Sequence, residues 1–214
     1  MNRKSMQLVI VCLLVFPTVV FAQSQDVPKY ELGAEFTTLQ RGSFGAQRTE
    51  PGVGARFTYN LNEMFAFEAA GYLFPARCGV CTEGGRMHQI VAGVKVGKRF
   101  EKWGVFAKAR PGVVSFSQGE FTVVRIPPGG ILPFETEVKR TNNFALDLGG
   151  VVEFYPTRKI VTRFDMGDTM IRFTRRTNNF VAFDPTGTPS LFPFTRPART
   201  THNFQFIAGV GFRF

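Results

Sequence analysis

Apolar and polar positions alternate through eight segments of this chain, and the last segment shows the pattern most clearly. Between Phe204 and Phe214 every even position is apolar, whereas most odd positions are glycine or polar. A period of two places successive side chains on opposite faces of a strand, so each segment predicts a strand with one apolar face. The segments are Tyr30–Gln40, Gly52–Asn60, Met64–Phe74, His88–Phe100, Trp103–Ser117, Thr141–Tyr155, Lys159–Phe173 and His202–Phe214.

The connections between these segments alternate between short and long. Asn60–Glu63, Phe100–Trp103 and Tyr155–Lys159 are short, and each is flanked by much longer connections. Each segment reaches the ~9–11 residues that a tilted strand needs to cross a bilayer. Short turns at one end and long loops at the other are typical of membrane barrels. The pattern therefore predicts an all-β fold, an eight-stranded antiparallel up-and-down transmembrane β-barrel.

Aromatic residues cluster at the short-turn end, where they predict a girdle at the membrane interface. These are Tyr59, Phe100, Trp103, Tyr155 and Phe214.

Two regions depart from the regular pattern. In the seventh segment the even positions are apolar through Met166, but Ile171 and Phe173 are odd, which predicts a bulge near Gly167–Asp168. The two longest connections are rich in proline, so we expect irregular surface structure there and no second domain. The four long connections are Arg41–Pro51, Pro75–Met87, Gln118–Arg140 and Thr174–Thr201.

The first 22 residues predict a secretory signal peptide. Arg3 and Lys4 precede an apolar stretch that ends at Val20-Phe21-Ala22, a plausible cleavage site. The stretch is too short to span a membrane comfortably, and Pro17 interrupts it. We therefore expect a signal peptide at 1–22, a periplasmic segment at 23–29 and a bacterial outer-membrane barrel at 30–214.

Charged residues in the predicted strands alternate with the apolar ones and so belong to the opposite, inward face. A charge on the lipid face near mid-bilayer costs about 2–4 kcal/mol, so this segregation favours a membrane barrel over a soluble β-sandwich. An eight-stranded interior is only just wide enough for side chains. The charges therefore predict either a paired structural plug or an ion pathway. The candidates are Glu35, Arg56, Glu68, Lys95, Lys108, Arg110, Asp147, Arg163 and Asp165.

Net charge indicates the kind of partner. The formal charge is +10, and loss of Arg3 and Lys4 with the signal peptide lowers it by 2 to +8. An exported protein does not meet nucleic acid, so lipopolysaccharide phosphates and other surface polyanions are the expected partners. Arginines in the predicted loops are the candidate contacts, because a guanidinium binds phosphate in bidentate fashion. They are Arg125, Arg140, Arg172, Arg175, Arg176, Arg196 and Arg199.

Two cysteines remain after the predicted cleavage, Cys78 and Cys81, spaced C-x-x-C. In an oxidising compartment, and with no second pair or nearby His to complete a zinc site, this spacing favours a local disulfide. We predict no metal site and no cofactor.

The predicted export signal, the eight strands, the alternating connections and the C-terminal segment together resemble the OmpA-like outer-membrane β-barrel family. Gly209, Phe212 and Phe214 match that family's assembly signal, although Ala208 stands where a polar residue is usual. The resemblance covers about Tyr30–Phe214 and implies periplasmic chaperones and the barrel-assembly machinery as partners. We expect a monomer and no peptidoglycan-binding domain.

Three functions are compatible with such a barrel. The first is a plugged barrel that acts in envelope integrity or surface interaction through its loops, and the alternative is a narrow channel for ions or small solutes. A lipid A-modifying enzyme is a third hypothesis, which could use His88 or His202, or treat Asp165 and Asp168 as paired carboxylates. No serine lies two or three residues from either histidine, so we expect a protein that is not an enzyme.

Overall fold

A computed structural model describes residues 27–43, 46–75, 84–127 and 134–214. No helix among these residues is long and apolar enough to cross a membrane. These described residues form eleven strands, all in antiparallel ladders. They are β1 (Tyr30–Ser43), β2 (Ala46–Asn60), β3 (Phe65–Phe74), β4 (Gly84–Arg99), β5 (Trp103–Arg125), β6 (Glu135–Phe154), β7 (Ile160–Phe173), β8 (Arg176–Phe183), β9 (Pro189–Arg196), β10 (Arg199–Thr201) and β11 (Phe204–Arg213).

Eight of these strands close into a barrel. Strands β1 to β7 pair in sequence order, and β11 pairs with both β7 and β1. Closure is completed by backbone hydrogen bonds of 2.8 and 2.9 Å between Tyr30 and Phe214. Because a closed barrel has no free strand edge, every wall strand satisfies its backbone groups within the sheet. The predicted fold, an eight-stranded antiparallel up-and-down transmembrane barrel, is confirmed.

The short turns lie where the sequence predicts them, and side chains stabilise two of them. The Asn62 carboxamide oxygen accepts hydrogen bonds from the backbone N–H groups of Met64 and Phe65, both at 2.8 Å. The Thr157 hydroxyl oxygen accepts from the backbone N–H groups of Lys159 and Ile160. Local side-chain acceptors of this kind replace ladder partners that a turn lacks.

The outer face of the barrel is apolar, as the alternation predicts. Large side chains such as Leu32, Ile90 and Val210 are more than half exposed, whereas the neighbours of each along its strand are less exposed or glycine. At the short-turn end, Phe100 stacks on Trp103 with ring centroids 4.3 Å apart. Tyr155 differs from the prediction, because its hydroxyl donates to the Glu153 carboxylate inside the barrel rather than joining the outer girdle.

The predicted bulge in the seventh strand is absent, and that prediction was wrong. Strand β7 pairs with β6 in unbroken register from Thr162 to Arg172. Ile171 and Phe173 keep the odd, inward phase and are buried. On the inner face of β7 the side chains are charged at Arg163 and Asp165 and apolar at Ile171 and Phe173. In the sequence this change looks like a slip in register.

The long connections contain more regular structure than we expected. Strands β1 and β2 continue to Ser43 and Ala46, and β5 and β6 continue to Arg125 and Glu135 past a register shift after Phe116. The connection from Thr174 to Thr201 holds a hairpin of its own, β8–β9. The expectation of irregular loops was therefore wrong, since backbone pairing continues beyond the hydrophobic part of each strand.

Candidate functional site

A network of ion pairs fills the short-turn half of the barrel interior. Arg56 contacts Glu35 at 2.8 Å and Glu68 at 3.8 Å, and Lys95 contacts Glu68 at 3.4 Å. The side chains of these four residues are at most 1% exposed. All nine interior candidates from the sequence lie on this inner face. Neighbouring strands are shifted along each other in the ladders. Residues at different positions along their own strands therefore lie at a similar height inside the barrel.

Arg163 is the centre of this network. Its Nε lies 2.5 Å from an Asp165 carboxylate oxygen, and its Nη2 lies 2.9 Å from a Glu68 oxygen. A second bond, between Nη1 and Glu68, makes the Arg163–Glu68 pair bidentate. Bidentate arginine–carboxylate pairs are the strongest of the protein ion pairs. The barrel thus joins strands β3 and β7, which are not neighbours in the wall, through its interior.

Further ion pairs extend the ionic layer. Lys95 contacts Glu153, Lys108 lies 3.0 Å from both Asp147 and Asp165, and Arg110 lies 2.5 Å from Asp147. Of the described residues, the buried charged side chains number seven carboxylates and seven cations. The interior is therefore close to neutral, as burial of so many charges requires.

The sequence analysis overlooked several members of the network. Glu31 is fully buried, contacts Arg56 at 3.4 Å and also pairs with Arg99 and Arg213. Glu31 and Arg99 share the phase of Glu35 and Lys95 and lie four residues away, so the period of two could have identified them. The Tyr72 hydroxyl donates to Glu35 at 2.7 Å. Tyr72 shares the phase of Glu68 on β3 and lies four residues from it, so the same period places it inside the barrel. Tyr72 fits because Gly54 faces it, and a Cβ at that glycine would lie 2.4 Å from the ring.

A hydrophobic layer lies above the ionic one, toward the long hairpins. Its side chains are at most 5% exposed. Phe116 and Phe173 pack with ring centroids 6.0 Å apart, and the Arg41 guanidinium stacks over Phe116 at 4.7 Å. The layer comprises Leu39, Ala70, Tyr72, Phe74, Met87, Val91, Val114, Phe116, Ala145, Ile171, Phe173 and Ile207.

The seven surface arginines do not form one cluster. Arg125 lies 3.8 Å from Glu135, Arg172 donates to the Thr200 hydroxyl at 3.1 Å, and Arg140 and Arg175 are exposed. The remaining three, Arg176, Arg196 and Arg199, line a common pocket of about 140 Å³ at the outer mouth of the barrel.

The residues of the predicted assembly signal lie on the closing strand. Gly209 faces Glu35, and a Cβ there would lie 2.7 Å from both Ala34 O and Glu35 Cγ. Phe212 and Phe214 are exposed on the outer face with ring centroids 6.1 Å apart. Cys78 and Cys81, like residues 1–26, lie outside the described residues.

The residues considered for catalysis are dispersed. Asp165 belongs to the ionic layer, whereas Asp168 accepts a backbone hydrogen bond from Asn203 at 2.9 Å. An Asp168 oxygen also lies 2.5 Å from Nδ1 of His202, which is exposed on the outer surface. His88 lies on β4, opposite Ser115 of β5. The two aspartates are therefore not a carboxylate pair.

Comparison with known proteins bears on the fold alone. No protein-family model and no curated protein matches the chain. Among solved structures, Neisserial surface protein A is 12% identical with a TM-score of 0.50, over 87% of this chain and 97% of that one. The attachment invasion locus protein Ail of Yersinia pestis is 12% identical with a TM-score of 0.47, over 87% and 99%. The N-terminal β-barrel domain of Pseudomonas aeruginosa OprF is 11% identical with a TM-score of 0.45, over 90% and 100%. The chain thus has the fold of the small eight-stranded outer-membrane barrels, as its resemblance to the OmpA-like family predicted.

Proposed function

We propose that this chain is an outer-membrane barrel with a closed interior, which acts in surface interaction or envelope integrity through its long hairpins. The observation that carries the proposal is the stacking of two filled layers inside the barrel. A hydrophobic layer covers an ionic layer in which each cation lies against carboxylates. Ions would have to cross both layers, and in the hydrophobic layer they would lose their water of hydration without replacement.

The distribution of charge supports an outward-directed role. Because the buried charges of the described residues cancel, the net positive charge of the chain is carried outside the interior. Anionic groups at the cell surface, lipopolysaccharide phosphates among them, are the partners that such a charge attracts. The exposed arginines of the extracellular hairpins are the contacts that we propose for them.

Single-channel recording of the refolded mature chain in a planar bilayer tests the closed interior. We expect a folded barrel that shows no conductance. The Glu68→Ala variant should also show no conductance, because its hydrophobic layer is intact. Discrete, reproducible conductance steps in the wild type would replace this proposal with the narrow-channel alternative.

Flotation of the refolded chain with vesicles tests the outward-directed role. The whole barrel is reconstituted in neutral nanodiscs and mixed with vesicles that contain or lack lipopolysaccharide. Preferential, salt-sensitive binding to the lipopolysaccharide vesicles is expected. Equal association with both vesicles would contradict a role in contacting surface phosphates.

A further inference from the structure

A pocket of about 790 Å³ opens at the short-turn end of the barrel. Cavities of this size accommodate small molecules. Three parts of the chain form its walls: the turn between β4 and β5, the turn between β6 and β7, and the residues that precede β1. The charged groups and the phenol among its lining residues belong to Arg99, Glu101, Lys102, Tyr155, Arg158 and Arg213.

Hydrogen bonds hold the walls of this pocket in position. The Tyr155 backbone N–H donates to Lys102 O at 2.9 Å and so joins the two turns. The Asn60 carboxamide nitrogen donates to Pro28 O at 2.7 Å, and its oxygen accepts from Nη2 of Arg99 at 3.2 Å. The pocket is therefore formed before any ligand binds, which lowers the entropy that binding must overcome.

Positive charge exceeds negative charge around the pocket. Four cations and one acid line it, and that acid, Glu101, is exposed. Inside the barrel, Glu31 and Glu153 contact Arg99 at 3.5 and 3.7 Å. Each of these two carboxylates also contacts two other buried cations, so neither neutralises Arg99 alone.

Arg99 is a cation in excess of an otherwise balanced interior. The buried charged residues in the described part of the chain number seven carboxylates and seven cations without it. The Arg99 side chain is nevertheless only 7% exposed. A buried charge without a full counter-charge is costly. An anion in the pocket would supply the missing negative charge.

Two buried donors of the pocket arginines lack hydrogen-bond acceptors among the described residues. They are Nη1 of Arg99 and Nε of Arg213. The Arg213 Nε lies 3.4 Å from Glu31, but the two form no hydrogen bond. Buried polar groups normally have partners, and a guanidinium can only donate. The missing partners are therefore acceptors, as the oxygens of an anion are.

The two guanidinium groups lie close enough to bind one group together. A single carboxylate oxygen, Oε1 of Glu31, lies 3.5 Å from Nη2 of Arg99 and 3.4 Å from Nε of Arg213. Both guanidinium groups also lie against the Tyr155 ring, at 5.5 and 4.4 Å from its centroid. One oxyanion in the pocket can therefore accept hydrogen bonds from both arginines.

We propose that this pocket binds a small molecule through a phosphate group, an inference that goes beyond the outward-directed role proposed above. Arg99 and Arg213 bind the phosphate oxygens, and Lys102 and Arg158 add attraction from the exposed turns. Four lining cations minus one acid leave a charge of +3, which favours a phosphate of about −2 over a single carboxylate. A guanidinium fork matches phosphate geometry, so two arginines give both affinity and orientation.

The first test is a titration of the refolded, isotope-labelled mature barrel with inorganic phosphate. The barrel is held in a maltoside detergent, which contains no phosphate, and chloride keeps the ionic strength constant. We expect saturable shifts of the Glu101 and Lys102 amide signals in the wild type. Arg99→Gln should weaken binding by about tenfold or more, the effect of losing one charge-assisted hydrogen bond. Lys98→Gln is the matched control, since it removes one charge from an exposed neighbouring position outside the pocket.

The outcomes separate this pocket from general surface charge. Saturable binding that Arg99→Gln weakens and Lys98→Gln preserves supports the proposal. Absence of saturable binding in the wild type, unchanged binding in Arg99→Gln, or equal weakening in both variants overturns it. The heat-modifiable band on a denaturing gel shows whether Arg99→Gln folds. If it does not fold, Lys102→Gln, in an exposed turn, takes its place.

A second measurement identifies the source of the phosphate group. The titration is repeated in nanodiscs of phosphatidylcholine, whose headgroups carry phosphate without net charge. If inorganic phosphate no longer binds, lipid phosphates occupy the pocket, and if it binds as in detergent, the ligand is a soluble phosphate compound. Conductance depends on the two filled layers and flotation on the extracellular hairpins. A failed titration would therefore overturn this pocket and leave the proposed function standing, and the reverse also holds.

Discussion

At the scale of single residues, Arg163 shows how the interior balances its charges. Its side chain is 1% exposed and lies against carboxylates of Glu68, Glu153 and Asp165. Desolvation of a lone guanidinium would be very costly, and only close, hydrogen-bonded carboxylates offset it. Each of these carboxylates also contacts a lysine, so the network is shared rather than pairwise.

Replacing Arg163 with methionine tests this account. The Arg163→Met variant leaves buried carboxylates without a counter-charge, so we expect the free energy of unfolding to fall by about 3–5 kcal/mol. Urea unfolding in lipid vesicles measures the change. Arg158→Met in an exposed turn is the control and should change the stability by less than about 0.5 kcal/mol. Equal effects of both variants would contradict a stabilising role for the network.

The Asp184 carboxylate organises the tip of the β8–β9 hairpin. It accepts hydrogen bonds from the Thr186 and Thr188 backbone N–H groups at 2.9 and 2.8 Å. The hydrogen bond from the Thr186 hydroxyl, together with these backbone bonds, holds the pKa of Asp184 below its ordinary 3.8. Gly187 supplies the positive φ of 83° that the turn requires.

This turn is expected to depend on pH in one direction. Because the folded pKa is depressed, the turn is stabilised above the unfolded value of 3.8, and this stabilisation is lost as the pH falls through the lowered pKa. The amide proton shifts of Thr186 and Thr188 should therefore be constant from pH 7 to 5 and move only at lower pH. Asp184→Asn should abolish that transition, and an unchanged transition in this variant would assign it to another group.

At the scale of the elements, the connection from Thr174 to Thr201 continues the strands that precede and follow it. The offset that pairs Phe173 with Arg199 in the wall also pairs Arg176 with Arg196 in the hairpin. The hairpin β8–β9 is thus an in-register extension of β7 and its partners, separated from them by a break that contains Pro197. It contacts the β5 extension through a hydrogen bond of 2.9 Å from Asn179 N to the Thr122 hydroxyl. This contact holds the hairpin against the β5 extension.

Removing the hairpin should leave the barrel intact. When residues 176–196 are replaced by a short Asn-Gly turn, the wall keeps all its ladders, because β7 pairs with β6 and β11 independently of β8. We expect an unchanged heat-modifiable band on a denaturing gel. The wild type refolded in parallel is the reference. Failure of the shortened chain to fold would contradict the independence of wall and hairpin.

At the scale of the whole molecule, closure of the barrel depends on the joining of its two ends. Strands β1 and β11 pair from Glu31–Arg213 to Leu39–Gln205, and the Tyr30 ring packs against Phe214 at 5.8 Å. This pairing joins residues more than 160 positions apart, so it carries the largest loop-closure cost in the wall.

Phe214→Ala tests the contribution of the last residue. Loss of its contact with Tyr30 removes apolar area from the closing seam, so we expect slower folding into pure lipid vesicles. Folding in the presence of the purified assembly machinery should be impaired further, because the predicted recognition signal is also lost. Phe65→Ala, an exposed aromatic on β3 away from the seam, is the control. Similar folding kinetics for the two variants would contradict a special role for Phe214.

Periodicity predicted the wall well and the ends of the strands less well. Alternation located every wall strand and assigned the inward charges, because membrane burial imposes the same rule on each strand. It failed at Ile171 and Phe173, because apolar residues lie on both faces of the strand there and the alternation no longer shows which face points inward. It also failed in the long connections, where exposed strands carry no such constraint and proline suggested irregular structure.

The alternation within each segment thus decided which face of its strand each side chain takes. The number of alternating segments gave the number of wall strands, and the alternation separated the charged residues from the lipid. It could not decide which charges meet, because strand tilt and register bring Glu68 of β3 to Arg163 of β7 across the interior. It also could not show that Arg176, Arg196 and Arg199 share a pocket while Arg125 and Arg172 remain apart. Face is a local property of the pleated backbone, whereas proximity between distant strands exists only once the barrel has closed.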